Sequence, residues 1–167
     1  MRFVLPVLAA VIMAAPAMAQ KVGVVDFQRA VVDTEEFKKA LAQIEAKYKP
    51  KQDQLQKAQQ TLQDIQAQVS ATRGQLSQAG SAELDAKGQR TQVQVDRLTQ
   101  DLQEDFEGDR DAALRVVTTR YTDVLKKLAA DKGLDIIADT TALRYFGPTL
   151  DVTDAAITAY NAAHPAK

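Results

Sequence analysis

From Phe37 onward, apolar residues recur at alternating steps of four and three. The series is Phe37, Leu41, Ile44, Tyr48, Leu55, Ala58, Leu62, Ile65, Val69 and Leu76, with Lys51 and Thr72 at the two places where it lapses. Ten of twelve positions are therefore apolar. A seam of this period, held over so many repeats, predicts one long helix in a coiled coil rather than a helix of a globular core. The residues between are mostly Gln, Lys, Glu and Ala, all good helix formers. Sixteen glutamines fall between Gln43 and Gln103 and none after, but the regular apolar spacing sets this tract apart from low-complexity sequence.

The seam ends at Leu76, and Ala79-Gly80-Ser81 follows. Glycine suits the left-handed residue just past a helix end. Serine suits the cap of the next helix, whose first turn would hold Glu83 and Asp85. A second helix is expected to run back from Ser81, and reflection about Gly80 tests that expectation. Leu76 then meets Leu84, Ile65 meets Val95, Leu62 meets Leu98 and Ala58 meets Leu102. Farther on, Leu55 meets Phe106, Tyr48 meets Ala113, Ile44 meets Val117, Leu41 meets Tyr121 and Phe37 meets Val124. The two lapses also find partners, Thr72 near Gly88 and Lys51 near Asp109. Such mirror pairing predicts an antiparallel hairpin over residues 36–132 with its tip near 79–81, the first arm roughly 60 Å long. Pro50 lies inside the first arm with Gly108 almost opposite, so both are candidate hinge residues.

The flanks are different. Residues 20–35 contain the β-branched run VGVVDF, read as a strand with Val22 and Val24 on one face and Val25 and Phe27 on the other. Residues 133–167 contain LDIIAD, with Ile136 and Ile137 on opposite faces, then further strand-like sequence and a short helix expected over Asp151–Ala162, capped by Asp151 or Thr153. Strands apolar on both faces need cover on both sides, and two or three strands make no stable sheet alone. The hairpin seam is spent on itself. Oligomerisation through the body is therefore expected, with Val22, Val24, Val25, Phe27, Ile136 and Ile137 as its residues. The fold class is α+β, mostly α: a small β-rich oligomerisation body carrying a long helical hairpin.

At the front, Met1-Arg2, the apolar run Phe3–Ala15, Pro16 and Ala17-Met18-Ala19 have the layout of a cleaved secretory signal over residues 1–19. Removing it leaves 148 of the 167 residues, with twenty basic and twenty-two acidic side chains and no Met. No Cys is present, so there is no disulfide framework, thiol nucleophile or lipidated cysteine. A slightly acidic chain lacks the basic footprint of a nucleic-acid binder. The single histidine, His164, reads as part of a surface tail. No phosphate-binding loop or nucleophile elbow is present. Asp105, Glu107, Asp109 and Asp111 resemble a calcium loop only superficially, since the sixth and twelfth places hold Arg110 and Val116. Those carboxylates read as a solvated helix face, and no enzyme, metal or cofactor is expected.

The order of strand, long hairpin, strands and short helix resembles the Skp/OmpH family of periplasmic chaperones. The motifs that carry the likeness are Lys21-Val-Gly-Val-Val-Asp-Phe-Gln28 at the front and, at the back, Leu134-Asp-Ile-Ile-Ala-Asp139, Ala142-Leu-Arg-Tyr145 and Leu150-Asp-Val-Thr-Asp154. The resemblance implies a periplasmic homotrimer whose hairpins surround a cavity holding unfolded outer-membrane β-barrel proteins, without ATP. The physical reading reaches an oligomer by itself; the number three comes only from the family. Family members are often strongly basic and this chain is not, so no lipopolysaccharide or membrane contact is carried over. Many weak contacts would hold such clients. The candidate contacts are the off-seam residues Ala67, Ala71, Ala82, Ala86, Val93, Leu114 and Leu125, which could equally be simple helix formers. The rival readings are a coiled-coil spacer or adaptor of the envelope and a helical stress sensor.

Overall fold

The computed structural model describes residues 20–166; the expected signal segment lies outside the described residues. Strand β1 (Val22–Val25) is followed at once by helix α1 (Phe27–Val32). Phe27 was expected to continue the strand. Instead the Asp26 carboxylate accepts the Arg29 N–H at 2.9 Å, capping a helix in which Phe27 is the first residue. A second cap follows closely. The Thr34 hydroxyl accepts from the Phe37 N–H at 3.2 Å and donates to the Val31 carbonyl at 2.8 Å, joining the end of α1 to the start of α2 (Glu35–Ala71). Glu35 and Glu36 occupy its first turn, where the helix dipole favours negative charge.

Helix α2 and helix α3 (Gln78–Lys132) form the antiparallel hairpin. Their 37 and 55 residues correspond to roughly 55 Å and 80 Å of helix. Every seam position from Phe37 to Ile65 is buried or half-buried. The tip, however, is not at 79–81. The chain turns over residues 72–77, where Gly74 takes φ +81° and the Ser77 hydroxyl accepts from the Gly80 N–H at 3.2 Å. Gly74 and Ser77 supply the same chemistry that Gly80 and Ser81 were expected to supply, several residues earlier. Gly80 and Ser81 lie inside α3, and Leu76 is exposed in the turn.

Moving the turn slides the register by one helical turn, which keeps the same faces together. Lys51 therefore meets Asp105 rather than Asp109, and Phe106 lies against Tyr48 rather than Leu55, with ring centroids 5.9 Å apart. Helix α3 ends in a left-handed Gly133, φ +62°, with the Leu134 N–H returning to the Ala129 carbonyl at 2.8 Å.

Beyond it, β2 (Ile136–Asp139) pairs parallel to β1 in the register Val22 with Ile136 through Val25 with Asp139. A single parallel bridge joins Val24 to Asp151, so β1 lies between β2 and the 151–152 segment. The rest of the expected strand-like sequence forms two short 3-10 turns, Thr140–Ala142 and Pro148–Leu150. Helix α4 (Thr153–Ala163) closes the body. Val152 holds the cap position without a side-chain bond, while the Asp151 carboxylate accepts the Thr153 N–H at 2.8 Å.

The core gathers Val25, Ala30, Val31 and Phe37 with Val117, Tyr121, Val124 and Leu128 of α3 and Ala156 and Tyr160 of α4. This corrects one expectation. Val24 and Val25 are both buried within a single chain, and Val25 packs in the cluster formed by α1, α4 and the root of α3. The hairpin root does contribute cover, since its seam continues past the arm into the body.

Candidate functional site

The body retains an apolar edge. Ile136 is 47% exposed and Tyr145 is 86% exposed, with Leu143 and Leu150 also open to solvent. They lie on β2 and on the irregular segment after it, and β2 has no strand partner on its far side among the described residues. An apolar group of this kind beside an unpaired strand edge suits protein contact. Of the six residues expected to oligomerise, Val24 and Val25 are buried, Val22, Phe27 and Ile137 are half-buried, and Ile136 alone is exposed. Leu143, Tyr145 and Leu150 were missed as surface residues. Their only signal is bulky apolar side chains in a stretch with neither strand nor helix period.

At the root of the arms a polar clamp ties three helices together. The Tyr160 hydroxyl donates to Glu36 Oε2 at 2.6 Å, and Arg120 donates to the other oxygen of the same carboxylate. The Glu36 hydrogen bond holds the Arg120 guanidinium above its ordinary value. Burial, then the bond to Glu36, pushes the Tyr160 phenol upward. Tyr160 also stacks on Tyr121, centroids 5.0 Å apart at 16°, and Phe27 meets Tyr121 edge-on at 5.5 Å. Burial alone pushes the Tyr121 phenol up to about 12. Its hydroxyl is buried with no hydrogen-bond partner among the described residues. His164 is not a loose tail, because its ring lies 4.9 Å from that of Tyr160 and it is half-buried.

Along the arm, Lys47 Nζ donates to Asp109 Oδ2 at 2.6 Å, and the Tyr48 hydroxyl donates to the same oxygen at 2.8 Å. Lys51 Nζ donates to Asp105 Oδ2 at 2.5 Å. The bonds from Lys47 and then Tyr48 hold the Asp109 carboxyl below the usual carboxylate range. Asp109 and Asp105 in turn raise Lys47 and Lys51. Asp109 was expected to face Lys51, a difference that follows from the slipped register. The candidate hinge residues Pro50 and Gly108 are both exposed.

The candidate client contacts divide into two groups. Ala67, Ala71, Ala82, Ala86 and Val93 are exposed on the distal arm, Val93 at 59%. Leu114 and Leu125 are half-buried against the core cluster and spend much of their apolar area there. An open groove near the tip, lined by Leu62, Ile65, Val69, Leu84 and Gly88, was not foreseen. It forms where Gly88 withholds a side chain opposite Ile65.

A family model described as outer membrane protein (OmpH-like) matches residues 21–160. Among curated proteins none matches the chain. Among solved structures, an OmpH-like candidate outer membrane chaperone from Caulobacter crescentus CB15 superposes with a TM-score of 0.67 at 19% sequence identity, over 92% of this chain and 90% of that one. At that identity the likeness speaks for the fold.

Proposed function

We propose, since the chain belongs to the OmpH-like outer membrane protein family, that it is an ATP-independent periplasmic holdase for unfolded outer-membrane proteins. In this reading the protein is a homotrimer joined through its body. The contact is made by the exposed edge of Ile136, Leu143, Tyr145 and Leu150 rather than by the buried Val24 and Val25, and the arms enclose a cavity. The observation that carries the reading is the division of apolar surface on the hairpin. The seam from Phe37 to Ile65 is satisfied internally, while isolated residues such as Val93 and the groove at Val69 stay open. Contacts that small are individually weak and reversible, and their number supplies avidity. No chemical step is assigned to any residue. Bending at Pro50 and Gly108 would fit one cavity to clients of different size.

The test is suppression of aggregation. Several unrelated denatured barrel proteins, diluted from urea with and without the chain, should scatter less light in its presence, and client folding into lipid should release it. A spacer or adaptor that binds one folded partner would leave every client aggregating at the same rate.

A further inference from the structure

Two ion pairs that cross between the arms bracket Pro50 and Gly108, the two helix-weakening residues at mid-arm. On α2, Lys47 and Lys51 stand either side of Pro50; on α3, Asp105 and Asp109 stand either side of Gly108. Pro50 has no N–H, so the Ala46 carbonyl loses its helical donor there. Gly108 favours the helix less than alanine would. Between the pairs sits Tyr48, buried against Phe106, with both lysine ammoniums over its ring, 5.0 Å and 5.4 Å from the centroid. Its hydroxyl shares Asp109 Oδ2 with Lys47.

We propose that Lys47, Tyr48, Lys51, Asp105 and Asp109 form a latch that holds the hairpin straight across Pro50 and Gly108, and that opening it lets the distal arm swing as one piece. The geometry gives the reason. Two helices whose axes lie about 9 Å apart can bend together by about 20° in their common plane only if one slides some 3 Å along the other. Lysine stems can follow such a slide, but the ring of Tyr48 is rigid and buried, so its hydroxyl leaves Asp109. The latch fixes axial register at the level where a proline in α2 and a glycine in α3 face each other. Its two ion pairs are solvent-exposed and therefore salt-sensitive, which makes the stiffness of the arm a function of its ionic surroundings. The inference rests on Pro50 and Gly108 being the hinge, and not on the identity of any client.

The chain has no Cys, so nitroxides can be placed cleanly at Gln43→Cys near the root of α2 and Gln89→Cys on distal α3, both exposed and roughly 35–40 Å apart along the arm. Labelled chain is diluted in unlabelled chain so that each oligomer carries one pair. Pulsed electron paramagnetic resonance then reads the width of the distance distribution. The width should be narrow at low salt and broaden about twofold near 1 M salt, where the screening length falls to about 3 Å. Lys47→Gln with Lys51→Gln should be broad at every salt concentration. Lys51→Asp alone should broaden it, and adding Asp105→Lys should narrow it again at low salt. A neutral double variant as narrow as the parent at low salt overturns the latch. Adding Pro50→Ala to that broad variant should restore a narrow distribution; if it does not, the hinge lies elsewhere and the latch has no joint to guard.

Discussion

Tyr121 carries the one buried side-chain polar atom without a partner among the described residues, in the middle of an aromatic stack. An unpaired buried hydroxyl costs stability that its ring contacts must offset. Tyr121→Phe keeps the ring and removes the hydroxyl, so it should leave the urea midpoint unchanged or raise stability by about 1 kcal/mol; a clear loss would mean that the oxygen is bonded in the assembled protein. The same residue sets an alkaline limit. Its phenol is pushed up to about 12 in the folded chain, above the value near 10 of an unfolded tyrosine. The neutral form is therefore favoured by folding, and the stabilisation is complete below pH 10. It is lost as pH rises toward 12, by about 2 kcal/mol. Thermal melts across that window should show the decline in the parent and a smaller decline in Tyr121→Phe, where Tyr160, whose phenol is also pushed upward, still contributes. None of this was legible in the sequence, where Tyr121 was one more seam position. The clamp of Glu36, Arg120 and Tyr160 joins residues up to 124 positions apart, and no local pattern announces such a contact.

Elements were legible where a period ran long and obscure where capping chemistry decided. The seam of α2 needed only the alternation of four and three, and its buried face came out residue by residue from Phe37 to Ile65, while Val69 and Leu76 beyond it are exposed. Which Gly–Ser pair made the turn could not be read the same way. Gly74 with Ser77 and Gly80 with Ser81 offer equal local chemistry, and a slip of one helical turn leaves every face intact. Charge pairing distinguished them, since Lys47 with Asp109 and Lys51 with Asp105 both form only in the observed register. Helix α1 was hidden similarly: a β-branched run masked the cap at Asp26. Caps this tightly placed are predicted to matter. Thr34 is buried and serves α1 and α2 at once, so Thr34→Ala should cost about 1–2 kcal/mol in denaturant unfolding. An unchanged midpoint would show that the elbow is held by packing alone.

For the whole molecule, the reading of two-sided strands was half right in its physics. Strands apolar on both faces do need cover, but the same chain supplies it for Val24 and Val25, with α1, α4 and the root of α3 packed on Val25. What the chain leaves open is narrower: one strand edge and the bulky residues after it. Ile136→Lys with Tyr145→Lys places charge on that edge without touching the buried core, so the folded chain should persist by circular dichroism while its mass by light scattering falls. A mass equal to that of the parent would overturn the assignment of this edge as a self-contact.

The parallel pairing of Val22 with Ile136 has a further consequence for how the molecule comes into being. Two neighbouring strands are separated by more than a hundred residues of sequence, so a chain made amino end first must expose β1 long before its mate arrives. The hairpin resolves that delay. Zipping outward from local contacts at residues 72–77, it carries Glu35 and Lys132 to the same end, and the loop left to close shrinks to a dozen or so residues. Loop-closure entropy puts the advantage at roughly 2 kcal/mol. The arm is thus a splint for its own assembly: helix signal should recover before tyrosine packing in refolding, and trimming both arms equally should leave the closing step as fast as before.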